Sequence, residues 1–86
     1  MYTVEIAPAA ERALRKLPAG VRNRIFKGLL LLEKAPRVHG VKKLSAEENL
    51  YRVRIGDYRV VYQIQDDALV VLVVRVAHRR DVYRRK

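Results

Sequence analysis

The stretch Leu50-Tyr51-Arg52-Val53-Arg54-Ile55-Gly56-Asp57-Tyr58-Arg59-Val60-Val61-Tyr62-Gln63-Ile64 holds two alternating runs around the dipeptide Gly56-Asp57. Alternation puts successive side chains on opposite faces of a strand, and a glycine-led dipeptide between two such runs predicts a tight hairpin. With glycine first, the loop suits a type II′ turn, whose first central residue needs a positive φ. A two-residue loop sets the register: Ile55 opposite Tyr58, Val53 opposite Val60, and Tyr51 opposite Tyr62. One face of the hairpin is then a ladder of aromatic and β-branched residues, which makes it the core face. The other face puts Arg54 opposite Arg59, with Arg52 one step along beside Val61. Like charges facing each other across paired strands are unfavourable, so stability alone does not select this face. It reads as a preformed anion site.

The rest of the composition agrees with a small scaffold for that site. The 86 residues suffice for one modest core, so a single domain over residues 1–86 is expected. Half the residues are hydrophobic, which excludes a disordered chain, while the longest apolar runs are far too short to cross a bilayer. The opening Met1-Tyr2-Thr3-Val4-Glu5-Ile6 has no signal-peptide pattern, and a cytoplasmic location is expected. The chain has no cysteine, which removes disulfides, thiolate nucleophiles and thiolate metal sites together. Nineteen Lys and Arg against nine Asp and Glu give a net charge of +10, a field suited to polyanions, nucleic acid before a membrane surface. The basic residues gather at the hairpin and in the tail, where Arg75, Arg79, Arg80, Arg84, Arg85 and Lys86 outnumber the single Asp81.

Upstream of the hairpin, Tyr2 to Ile6 alternates as a short strand, and Pro8 suits the first turn of a helix. From Ala9 to Leu17 the apolar positions Ala10, Ala13, Leu14 and Leu17 recur at helical spacing. Pro18-Ala19-Gly20 breaks the pattern, and a second helix from Val21 to Lys34 carries Val21, Ile25, Leu29 and Leu32 on one stripe. Phe26, Leu30 and Leu31 are expected to widen its buried face. Ala35-Pro36-Arg37 stops this helix, and the segment to Asn49, with Lys42, Lys43 and His39, reads as a loop. His39 has no partner at ligand spacing and makes a poor metal candidate. Downstream, Asp66-Asp67 forms a turn, and Ala68 to Val76 is a strand apolar on both faces, expected to lie inside the sheet and to be covered on two sides. A three-residue loop before it sets Arg75 across from Arg59; a two-residue loop does not. The predicted fold is α+β: an antiparallel sheet with an N-terminal helical hairpin packed on one face.

Two segments together, Tyr51 to Tyr62 and Arg75-Val76-Ala77-His78-Arg79-Arg80-Asp81-Val82-Tyr83, resemble the RelE/ParE toxin superfamily. The early strand, the helical hairpin and Leu14-Arg15-Lys16-Leu17-Pro18 fit the same order, so the resemblance spans nearly the whole chain. An arginine followed a few residues later by a Val-Tyr pair is similar to the RelE-type ribosome-dependent mRNA endonucleases; ParE-type gyrase poisons share the scaffold and generally lack that tail. The resemblance implies the toxin of a type II toxin-antitoxin system. Its expected partners are a cognate antitoxin, the ribosome and mRNA, with operator DNA met only through the antitoxin complex, and with no membrane, metal or cofactor. The alternative is a ParE-like binder of DNA gyrase, or a non-catalytic antitoxin-binding module acting in operon repression.

Carried over by position, Arg52 and Arg54 match the family's paired basic residues, Arg59 and Arg79 its phosphate-binding arginines, and Tyr83 its C-terminal catalytic tyrosine. Metal-free RNA cleavage turns the 2′-hydroxyl on the adjacent phosphate, which requires a base, donors for the phosphorane oxygens, and an acid for the leaving oxygen. Arg54, Arg59 and Arg79 suit the donor role, because guanidinium meets phosphate bidentately and stays charged. Where the best-known relatives carry lysines at positions 52 and 54, arginine cannot act as a base. Tyr83, near pKa ~10 when unperturbed, is the proton carrier that the family position supports. Arg54, Arg59, Arg79 and Tyr83 are thus the catalytic candidates, and Arg52, Arg75, His78 and Arg80 are candidate contacts to RNA phosphate or base. The acidic residues form no pair suited to a metal: Glu47-Glu48 are adjacent in a loop and Asp66-Asp67 sit in a turn.

Overall fold

A computed structural model of the chain describes residues 1–37, 42–45 and 49–78. The elements run β1 (Thr3–Ile6), α1 (Pro8–Arg15), α2 (Ala19–Lys34), β2 (Lys42–Ser45), β3 (Leu50–Ile55), β4 (Tyr58–Gln65) and β5 (Val70–His78). The hairpin has the predicted register, with Tyr51 opposite Tyr62, Val53 opposite Val60, Arg54 opposite Arg59 and Ile55 opposite Tyr58. At its turn the positive φ belongs to Gly56, at +60°, and not to Asp57, the pattern of a type II′ turn.

The five strands lie in the order β1-β5-β4-β3-β2. All neighbours are antiparallel except β1 and β5, which pair in parallel with Val4 beside Val71 and Ile6 beside Val73. That pairing is why the helical hairpin sits on one face: α1 and α2 form the crossover between β1 and the rest of the sheet. Pro8 opens α1 at its first turn, where a missing N–H costs nothing. Ala10 and Leu14 of α1 and Ile25, Leu29 and Leu32 of α2 meet Tyr51, Val60, Tyr62, Ile64, Val71, Val73 and Val76 of the sheet in one core. α2 approaches β3 closely at Gly28, where an added Cβ would stand 2.5 Å from Ile55 Cδ1, which accounts for a glycine in mid-helix.

Three expectations change. Phe26, Leu30 and Leu31 are exposed, because the i, i+4, i+7 stripe of Ile25, Leu29 and Leu32 already fills the contact, and each neighbouring position turns away by about 100°. Residues 42–45 form a strand rather than a loop, pairing Lys42 with Arg52 and Lys43 with Tyr51; the pairing comes from the open edge of β3 and has no local hydrophobic signal. The last strand starts at Val70 and runs on to His78, and it is buried on one face only. Val71, Val73 and Val76 are in the core while Val70, Leu72 and Val74 are half-exposed, since both helices lie on the same side. His39 falls outside the described residues.

At the end of the sheet away from the Gly56 turn, a polar clamp joins four segments. The Tyr2 hydroxyl donates to Asp66 Oδ1 at 2.7 Å. Arg37 donates from Nη1 and Nη2 to the two Asp66 oxygens at 3.2 and 2.9 Å, and from Nε to the Tyr51 hydroxyl at 3.1 Å. The Tyr51 and Tyr62 rings stack at 6.0 Å, and the fully buried Tyr62 donates its hydroxyl to the Pro36 carbonyl at 2.6 Å. Burial, with Tyr51 alongside, pushes the Tyr62 hydroxyl up to about 12, so it stays a donor.

Removing that hydroxyl with Tyr62→Phe leaves a buried carbonyl unpaired and should cost about 1–3 kcal/mol in chemical unfolding. The Arg37 guanidinium, and after it the Tyr2 hydroxyl, hold the Asp66 carboxyl below the usual carboxylate value. A depressed folded-state pKa gives stability that is full above the unfolded value of ~3.9 and lost as pH falls through the folded one. The gap in melting temperature between wild type and Asp66→Asn should therefore narrow as pH is lowered from about 6 to about 3; a gap independent of pH would remove the ion pair from the account.

Candidate functional site

The face of the sheet turned away from the helices is chemically graded. Nearest the Gly56 turn, one row across the strands holds Arg54, Arg59 and Ala77, and the next open-face row holds Arg52, Val61 and Arg75. Further along come Leu50, Gln63, Leu72 and Glu5, so the cations occupy one end. Pairing alternates between faces, which is why four arginines from three strands share a surface while Val53, Val60 and Val76 between the two rows point into the core. Arg54 is exposed, and Arg52, Arg59 and Arg75 are half-buried.

Arg75 reaches this face through a β-bulge. Tyr62 pairs with Val73 but Val61 pairs with Arg75, so Val74 is an extra residue on β5, and the shift brings Arg75 to the arginine side. The turn before β5 covers residues 66–69, with Leu69 at φ +54°, so neither of the shorter loops holds. Arg75 lies one row from Arg59 instead of across from it.

His78 closes β5 beside Tyr58, its ring edge-on to the tyrosine at 5.1 Å between centroids. Both lie on the helix side of the sheet, around the strand from the arginine rows. Of the candidates, the structure therefore brings Arg52, Arg54, Arg59 and Arg75 together and puts His78 round the strand from them. Arg79, Arg80 and Tyr83 lie outside the described residues. Among the described residues, no three of His, Asp and Glu come together in a way that could hold a metal ion, and no helix is long and apolar enough to cross a membrane. Tyr58, whose sequence pattern marks it only as core, is distinguished by its place at the start of β4 between Ile55 and His78.

A profile of the family described as "ParE toxin of type II toxin-antitoxin system, parDE" matches residues 4–83. The chain belongs to the RelE/ParE toxin superfamily. Within it the similarity is to RelE-type members. The chain is 33% identical to "Toxin RelG" of Mycobacterium tuberculosis, covering 98% of both. It is 36% identical to "mRNA interferase toxin RelE" of Escherichia coli over 91% of this chain and 83% of that one. Among solved structures, the archaeal RelE-RelB complex from Pyrococcus horikoshii aligns with a TM-score of 0.82 at 31% identity, covering 91% of this chain and 94% of that one. The intact E. coli RelBE toxin-antitoxin complex aligns at 0.79 and 30%, covering 91% and 96%.

The opposed pair Arg54 and Arg59 bears on stability in a checkable way. A cross-strand like-charge pair is worth about 0.2–1 kcal/mol of destabilisation, so Arg54→Ala should leave the melting temperature unchanged or raise it slightly. A drop of several degrees would show that this arginine is structural.

Proposed function

We propose that this RelE-type toxin cleaves mRNA on the ribosome by attack of the 2′-hydroxyl on the adjacent phosphate, without a metal ion. The observation that carries the reading is the pair of arginine rows on the open sheet face, at the end from which the chain continues to Arg79 and Tyr83. Arg54 and Arg59, with Arg79, supply fixed guanidinium donors to the charge that develops on the phosphorane oxygens. Arg52, Arg75 and Arg80 hold flanking phosphates, and His78 contacts the strand nearby. Tyr83 moves the proton that arginines at 52 and 54 cannot move. The solved complexes of RelE with RelB relatives support a cognate antitoxin that neutralises this face with acidic residues and covers exposed apolar surface such as Phe26 and Leu30. Operator DNA is met through that complex. The site of action is the cytoplasm.

Ribosomes programmed with a defined mRNA, mixed with the purified chain, should yield in-frame cuts leaving a 2′,3′-cyclic phosphate and a free 5′-hydroxyl. An SOS response on expression without such cuts would point to gyrase and overturn the reading. Arg59→Ala should lower the cleavage rate by about 10²–10³-fold with little change in melting temperature. Tyr83→Phe keeps the ring and removes the proton: a loss of about a hundredfold or more fits proton transfer, and nearly full activity would reduce Tyr83 to stacking.

A further inference from the structure

Beyond Val73, β5 has no neighbour on its β1 side among the described residues, because the chain leaves the sheet after Ile6 and enters α1 at Pro8. Among the described residues the last part of β5 is thus an edge of the sheet, and it faces the C-terminal end of α1. A groove of about 390 Å³ opens there, within the size range of small-ligand sites. Ala13 and Leu17 form an apolar side, Tyr58 and His78 an aromatic side, and Lys16 and Arg75 supply positive charge; none of the lining residues is a carboxylate. Arg75 belongs to two surfaces, since it pairs into the row of Arg52 and Val61 and also lines this groove. A second cavity of about 390 Å³, also lined by Tyr58, carries Arg24 and Asp57, whose charges offset, whereas the groove beside β5 holds two cations and no carboxylate.

We infer that this groove is a nucleotide subsite for the substrate strand: RNA crosses from the arginine face past the end of β5, and one nucleotide seats beside Tyr58 with its phosphate toward Lys16. The inference rests on the mRNA-cleavage reading, shares Arg75 and His78 with it, and extends it to Tyr58 and Lys16, which that reading does not use. The chemistry fits at each wall. An aromatic ring accepts any base by stacking, the apolar side takes the sugar and base edge, and the full positive charge of Lys16 outweighs the partial negative charge of the α1 C-terminus it caps, giving a point charge for phosphate. Arg75 bridges the two surfaces, which keeps the backbone charge matched along the path.

The test uses the purified full chain and a short single-stranded RNA carrying 5-iodouridine. Irradiation should give adducts at Tyr58 or His78; adducts found only elsewhere would overturn the inference. By fluorescence anisotropy, Lys16→Ala should weaken binding of the same RNA roughly threefold to tenfold and reduce the slope of log affinity against log salt by about 0.7. Tyr58→Leu should weaken it about tenfold. Lys16 is exposed, so its variant stays informative if Tyr58→Leu misfolds. Lys27→Ala, on the exposed side of α2, should match wild type. If Lys16→Ala loses ribosome co-sedimentation while its RNA affinity stands, the groove serves ribosomal RNA and the inference fails. If wild type cleaves mRNA while both groove variants match it, the subsite alone is wrong; if wild type neither binds nor cleaves RNA, the functional reading falls with it.

Discussion

Everything in this molecule depends on the register between β3 and β4. Side chains alternate with a period of two, so a slip of one residue would carry Tyr51, Val53, Val60 and Tyr62 to solvent and drive Arg52, Arg54 and Arg59 into the core. The cost of burying unpaired guanidinium groups, added to the loss of an aromatic and β-branched core face, leaves one pairing available. The Gly56 turn chooses that pairing locally, and the contact with α2 enforces it, since Ile55 packs directly on Gly28.

The two ends of the sheet divide the work. At the β4–β5 turn, Arg37, Asp66 and Tyr2 satisfy one another's charge and hydrogen bonds, and Tyr62 ties the end of α2 to the centre of the sheet. This polar clamp lies at the opposite end of the sheet from the arginine rows. At the other end Arg54 and Arg59 face each other across the strands, an arrangement that, in the function proposed, holds donors ready for an anion. A site built on strands holds its donors more rigidly than one built on loops, which suits stabilisation of a transient charge.

The bulge at Val74 is a small change with a large chemical effect. In an unbroken strand that continued from Val73 in the core, Arg75 would point to the helix side. One extra residue brings it to the open face beside Val61, while it also lines the groove between β5 and α1.

Much of the fold was legible in local chemistry. The hairpin and its type II′ turn follow from alternation and Gly56-Asp57, α1 from Pro8 and the spacing of Ala10 and Leu14, and the core stripe of α2 from Ile25, Leu29 and Leu32. The opposition of Arg54 and Arg59 was legible for the same reason, because a two-residue loop determines which residues meet. Only the tertiary structure decided the rest. The width of α2's buried face depends on how it crosses the sheet, so Phe26, Leu30 and Leu31 end up exposed. β2 exists because β3 offers it unpaired backbone groups, β1 joins β5 in parallel through the crossover, and Arg75 and His78 take their positions from the bulge in β5. These are non-local pairings, set by which distant strand supplies hydrogen-bond partners, and no pattern within a short window of sequence encodes them.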